Sequence, residues 1–167
     1  PGTVGRVVPC VSGGGKARRQ SIQIREGEAG SHISRLFGLS KKGYAPYNPR
    51  KKNQDALAMA EDPATATQAI LVLDGHGEAG DLVSGYYKEK YLDEVFAHAA
   101  WPGDVEGMKR ASRDVLLKLE RELIGNKAVD TEFSGSTYVF AALRGGALLV
   151  SNVGDSRVTL GVEVDGA

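Results

Sequence analysis

The chain has 167 residues, enough for one domain with a hydrophobic core, and its 21 Lys/Arg balance its 21 Asp/Glu. A single cysteine, Cys10, excludes an internal disulfide framework and a thiolate zinc site, and no apolar run approaches the roughly 20 residues of a membrane-spanning helix. The neutral total conceals an asymmetry: residues 1–43 carry eight Lys/Arg against two acidic residues, and residues 44–167 carry thirteen against nineteen.

From the N-terminus, residues 1 to about 31 are rich in Gly, Ser and basic side chains and lack sustained periodicity. We expect a basic, disordered leader over residues 1–40 and a domain over 41–167. Such a leader can dock on the acidic remainder, on anionic lipid or on an acidic partner, and docking on its own domain would be autoinhibitory. Gly13-Gly14-Gly15-Lys16 fails as a phosphate loop, because Ala17 stands where a magnesium-holding Ser or Thr is needed and no strand precedes it. Arg18-Arg19-Gln20-Ser21 has the shape of a site for a basophilic kinase. The start at Pro1 and the end after Val164-Asp165-Gly166-Ala167 read as those of a fragment, so an upstream secretory signal stays open.

Asp55-Ala56-Leu57-Ala58-Met59 reads as a short strand, followed by a loop around Glu61-Asp62-Pro63. The apolar run Ala69-Ile70-Leu71-Val72-Leu73 reads as a buried strand that ends at the tetrad Asp74-Gly75-His76-Gly77. A helix is expected over about Gly80–Ala99, with Val83, Tyr87, Tyr91 and Val95 at helical spacing and Pro102-Gly103 breaking it. A second is expected over about Val105–Leu123, its apolar stripe running from Met108 through Ala111, Val115, Leu116 and Leu119 to Leu123. Both stripes read as core. Strands follow at Ser136–Leu143 and Ala147–Val153, joined by a Gly145-Gly146 hairpin turn, and another at Arg157–Leu160 after a turn at Gly154-Asp155. Strands, then a helical pair, then an antiparallel meander argue for an α+β fold.

The tetrad carries the first chemical signal. An aspartate at the end of a core strand is held rigidly, a glycine after it frees a backbone carbonyl for close approach, and a histidine follows. Carboxylate, carbonyl and imidazole suit a hard cation with a proton donor beside it, although Asp-Gly alone also makes an ordinary turn. A calcium loop of the EF-hand kind does not fit, since Asp74, His76 and Glu78 alternate wrongly and Gly85 stands where the bidentate glutamate belongs. His32 and His98 have no comparable context.

Upstream lies Arg50-Lys51-Lys52-Asn53-Gln54-Asp55; downstream lie Phe133-Ser134-Gly135-Ser136-Thr137 and Ser151-Asn152-Val153-Gly154-Asp155-Ser156-Arg157. With the tetrad, in this order, from about Gly43 to about Gly161, they resemble the signature segments of the metal-dependent serine/threonine phosphatases of the PP2C (PPM) family. The resemblance implies an α/β/β/α sandwich, here its N-terminal half, with a metal site at one edge between the two sheets. It implies hydrolysis of phosphoserine and phosphothreonine through metal-activated water, with two or more Mg2+ or Mn2+ ions per complete site. By that resemblance Asp74 bridges two cations, the Gly75 carbonyl is a further ligand, and Asp55 orients water on the metal. Asp155 helps bind an additional cation, Arg50 binds phosphate, and His76 protonates the leaving oxygen. Lys51 and Lys52 are alternatives to Arg50 or plain solvated charges. Gln54 departs from the glutamate of many relatives, keeping hydrogen bonds to water on the metal while dropping a charge. Ser134–Thr137 read as a tight turn and strand entry against the metal strand, without chemistry, and Ser156 and Arg157 as structural. The expected partners are phosphorylated proteins, with no nucleic acid, in an intracellular monomer, cytoplasmic or nuclear. The family's other metal-ligand aspartates would lie beyond this chain, which alone is expected to be inactive. One alternative is a pseudophosphatase of the same fold acting as a binding or regulatory module. Another is a phosphoester hydrolase of a different fold, which would require helices between successive strands.

Overall fold

The computed structural model describes residues 20–26, 33 and 35–161. Strands β1 (Gln20–Glu26) and β2 (Arg35–Lys41) pair antiparallel as a two-stranded sheet. Chain order then gives β3 (Asp55–Asp62), β4 (Thr67–His76), helices α1 (Gly80–Ala97) and α2 (Val105–Gly125), the two-residue β5 (Gly135–Ser136), β6 (Tyr138–Arg144) and β7 (Ala147–Val153). The main sheet is antiparallel in the spatial order β3-β4-β6-β7, with β5 beside the end of β4.

Alternation along the strands decides which face the helices cover. Ala69, Leu71 and Leu73 of β4 and Tyr138, Phe140 and Ala142 of β6 are buried against α1 and α2. The helical stripes meet them: Val83, Tyr87, Tyr91 and Val95 from α1, and Met108, Ala111, Val115, Leu119 and Leu123 from α2, are all buried. The hydroxyls of Tyr91, Ser112 and Tyr138 satisfy one another inside this layer. On the opposite face, β2 lies against β3 closely enough that a side chain at Gly38 would collide with Leu57. Helices on one face and a β-hairpin on the other give the α and β layers of part of the expected sandwich.

At the far end of the sheet Asp62 closes the β3–β4 turn, accepting from Ala64 N at 3.1 Å, and also accepts from the buried Trp101 Nε1 at 2.9 Å. Arg144 reaches the same corner, donating to Thr67 Oγ1 and to the carbonyls of Trp101 and Gly103. This corner explains one departure from the sequence reading. Glu61 and Asp62 were expected in a loop, yet they extend β3, because Asp62 finds buried donors there.

Three further expectations are corrected. β4 runs on through Asp74, Gly75 and His76, so the tetrad lies largely within a strand, where both neighbouring strands supply hydrogen bonds. Arg157–Leu160 forms no strand among the described residues, where β7 has β6 as its one neighbour in the sheet. The disordered leader expected through residue 40 gives way to the β1–β2 hairpin, and the boundary at residue 40 falls inside β2. The readings of Cys10, Gly13–Lys16, Arg18-Arg19 and His32 lie outside the described residues; Ser21 falls within β1.

Candidate metal and phosphate site

The β3–β4 register places Asp55 directly opposite Asp74, on the face turned away from the helices. Asp55 is raised from the ordinary carboxylate range. Burial is the main cause, followed by the charge of Asp74; Lys51 opposes them weakly. Two acids facing each other across a ladder form a site that a hard cation would relieve, so the donor set fits a divalent metal with oxygen ligands. It is a partial set: among the described residues no group of three or more His, Cys, Asp or Glu is placed to hold a metal. Asp55 and Asp74 also line a groove of about 550 Å³ between β2 and the main sheet, whose apolar lining includes Phe37, Leu39, Leu57 and Val72.

Glycine shapes the turn after Asp74. The Gly75 amide donates to the Gln54 carbonyl at 3.2 Å, and a side chain at Gly75 would meet that carbonyl at 2.5 Å and the carbonyl carbon of Gly80 at 2.8 Å. Gly77 has φ +82°, and a side chain there would run into the backbone of Phe133 and Ser134. β4 ends at His76 and α1 begins at Gly80, so the chain turns into the helix through Gly77, Glu78 and Ala79.

Gln54 binds this turn from the other side. Its Nε2 donates to the Gly77 carbonyl, and its own carbonyl also accepts from Ser84 Oγ of α1 at 2.6 Å. A glutamate side chain could not make the first of these bonds. Ser134 Oγ accepts from Ala79 N at 3.0 Å and so caps α1, whose N-cap residue has no polar side chain. Lys52 reaches Asp81 in the first turn of α1 at 2.7 Å and anchors the segment that follows Arg50.

His76 is exposed at the end of β4, opposite Gly135. Its imidazole lies over that glycine: a Cβ at Gly135 would sit 2.8 Å from His76 Nε2. Arg50 is exposed in a turn closed by a bond from Lys51 N to the Asn48 carbonyl and braced by Lys42 Nζ on the Pro49 carbonyl. Asp155 is exposed in the turn after β7; the next residue, Ser156, bonds Thr137 Oγ1 at 2.8 Å, and Thr137 bonds Asp74. The structure thus draws Asp55, Asp74, Gly75 and Gln54 into one cluster, with His76 beside it, Asp155 joined to it through Ser156 and Thr137, and Arg50 on the preceding loop.

Sequence reasoning read Ser134–Thr137 as a turn and strand entry against the metal strand and Ser156 as structural, without naming their hydroxyl bonds, and passed over Ser84 and the Lys52–Asp81 pair. The run Ser134-Gly135-Ser136-Thr137 does lie against the metal strand as expected, with Ser136 opposite Gly75 and Gly135 opposite His76.

No family model matches the chain. It is 31% identical over 127 residues to the probable protein phosphatase 2C 35 of Arabidopsis thaliana, covering 75% of this chain and 35% of that protein. It is 28% identical over 137 residues to the mitochondrial probable protein phosphatase 2C member 13 of rice, covering 80% and 36%. The chain therefore spans about a third of the length of these curated relatives. Among solved structures, a bacterial serine phosphatase bearing an arginine-to-glutamate mutation shares the fold with TM-score 0.53 at 19% identity, covering 86% of this chain and 56% of that one.

Proposed function

The chain belongs to the PP2C family of protein phosphatases, and on that premise we propose that it is the N-terminal part, over residues 41–167, of a domain that hydrolyses phosphoserine and phosphothreonine. The observation that carries the proposal is the registered Asp55–Asp74 pair lining a groove, beside the Gly75 turn.

The family is metal-dependent in general, and the ions assigned here are Mg2+ or Mn2+, two or more in the complete site. Bound, they would activate water and neutralise phosphoryl oxygens. Asp74 and the Gly75 carbonyl would hold them, with Asp155 contributing to an additional one. Asp55, opposite Asp74, would orient water at the site. Gln54 serves the site by fixing the Gly77 turn, with its remaining amide oxygen available to water. Arg50, a planar fork on an exposed turn, would bind the phosphate. His76, exposed at the strand end, would give its proton to the departing serine or threonine oxygen.

The substrates would be phosphoproteins and the protein a monomer. Among the described residues no helix is long and apolar enough to cross a membrane. We place the protein inside the cell, in cytoplasm or nucleus, on its lone cysteine; one relative carries the word mitochondrial in its name.

The test is phosphate release from a phosphoserine peptide and an aryl phosphate by the intact protein with Mn2+, with Mg2+ and with chelator. Release that needs metal is expected. No release from a folded, intact protein in either metal would overturn the enzyme reading and leave a binding module of the same fold.

A further inference from the structure

We propose that Thr137 is a positioning residue for Asp74, its hydroxyl standing in for a strand carbonyl and linking Asp74 to the Asp155 turn. The inference rests on the metal-site reading of Asp74.

The β4–β6 ladder pairs Val72 with Val139, and the β4–β5 ladder pairs Gly75 with Ser136. The register is the same on both sides, so Thr137 faces Asp74. Half of the ordinary exchange is present there: Thr137 N donates to the Asp74 carbonyl at 2.9 Å. The other half is replaced. Asp74 N donates at 3.0 Å to Thr137 Oγ1, while the Thr137 carbonyl is taken by Ser136 Oγ at 2.8 Å. The ladder opens at the residue assigned to the metal, and a side-chain hydroxyl closes the gap.

That hydroxyl has one proton. Besides accepting from Asp74 N, it shares a second hydrogen bond with Ser156 Oγ, 2.8 Å away, in which either hydroxyl can donate. The Ser156 carbonyl accepts from Asn152 Nδ2 at 2.9 Å, which fixes the turn holding Asp155. The methyl group of Thr137 has its own place, since a Cβ at Gly154, φ +101°, would stand 3.0 Å from Cγ2. Valine would keep the shape and lose both hydrogen bonds; serine would keep the hydroxyl and lose the methyl contact. The backbone of Asp74 and the loop of Asp155, two separate sources of carboxylate, are thereby held through one side chain.

The experiment titrates Mn2+ into the intact wild-type protein and into Thr137→Val, Thr137→Ser, Ser156→Ala and Asp74→Asn, with thermal unfolding of each metal-free protein alongside. Groups that orient metal ligands typically change affinity by roughly tenfold to a hundredfold. Thr137→Val is expected to weaken Mn2+ binding by about tenfold or more, Thr137→Ser to stay within about threefold of wild type, and Ser156→Ala to fall between them. A folded Thr137→Val protein that binds Mn2+ as wild type does overturns the proposal. So does a Thr137→Ser protein as weak as Thr137→Val, which would assign the effect to packing on Gly154. If Thr137→Val does not fold, Ser156→Ala decides: wild-type Mn2+ affinity there contradicts the link. Asp74→Asn separates the two levels, because undiminished Mn2+ binding in that variant removes the metal-site reading itself, and the role of Thr137 with it.

Discussion

Asp55 and Asp74 set like charges directly opposite each other on a β-ladder, an arrangement that costs on the order of 0.5 kcal/mol without a cation between them. Burial and the Asp74 charge raise the Asp55 carboxyl above its unfolded value. The folded state then holds the proton more tightly, so this group's contribution to metal-free stability is greatest below the unfolded value and declines as pH rises through the folded one. Asp55→Asn should therefore stabilise the metal-free protein at neutral pH and flatten that decline, while reducing the stabilisation gained from Mn2+. Unfolding curves from pH 4 to 8, with and without Mn2+, check both parts. Gly75 sits under the opposite constraint, with backbone atoms of Gln54 and Gly80 where a methyl group would go. Gly75→Ala should cost about 2–3 kcal/mol in urea unfolding; a loss below about 0.5 kcal/mol would mean the turn can open. At this scale the sequence revealed the acids and the glycines through residue type alone. It placed Thr137 at a strand entry but not its bond to Asp74, because a hydroxyl that replaces a carbonyl is visible only when the facing strand is in place.

The helices were legible because their stripes recur with helical period and end at recognisable breakers. The structure buries the four α1 positions named from that period. The β6–β7 hairpin was legible from Gly145-Gly146, whose φ values of +55° and +80° suit a tight turn. Strand ends were harder to place. Asp-Gly-His-Gly has turn composition, yet the tertiary partners Asp55 and Ser136 keep β4 extended through His76. Glu61 and Asp62 looked like loop until Trp101 supplied a buried donor. The start of α2 is a local device: Asp104 Oδ1 accepts from Gly107 N at 2.9 Å. Asp104→Ala should cost about 1 kcal/mol of stability by thermal or urea unfolding, without altering metal affinity. A change in Mn2+ binding there would tie α2 to the site in a way the hydrogen bonds do not.

Across the whole molecule, the helix layer covers one face of the sheet, and the groove with its two aspartates lies on the other, beside β2. The α+β class and the ordered motifs could be read from sequence because each segment carries its own pattern. The β1–β2 hairpin could not, since a short strand in a basic, glycine-rich segment is decided by its pairing and by the packing of β2 on Leu57. That packing also fixes how to ask about autoinhibition. Removing residues 1–43 would take β2 away, whereas removing residues 1–19 deletes four Lys/Arg and no acid while retaining both strands. If the basic segment docks on the acidic remainder, that shorter deletion should raise activity at low salt, with the gain shrinking as salt screens the contact; an unchanged activity and salt response would dismiss the idea. The most direct measurement of the central claim is Mn2+-dependent hydrolysis of a phosphothreonine peptide by the intact protein, wild type beside Asp74→Asn. Turnover that requires Mn2+ and falls at least a hundredfold, by roughly 3 kcal/mol of transition-state stabilisation, in a folded Asp74→Asn protein is the predicted result. Equal turnover in the two proteins would contradict it.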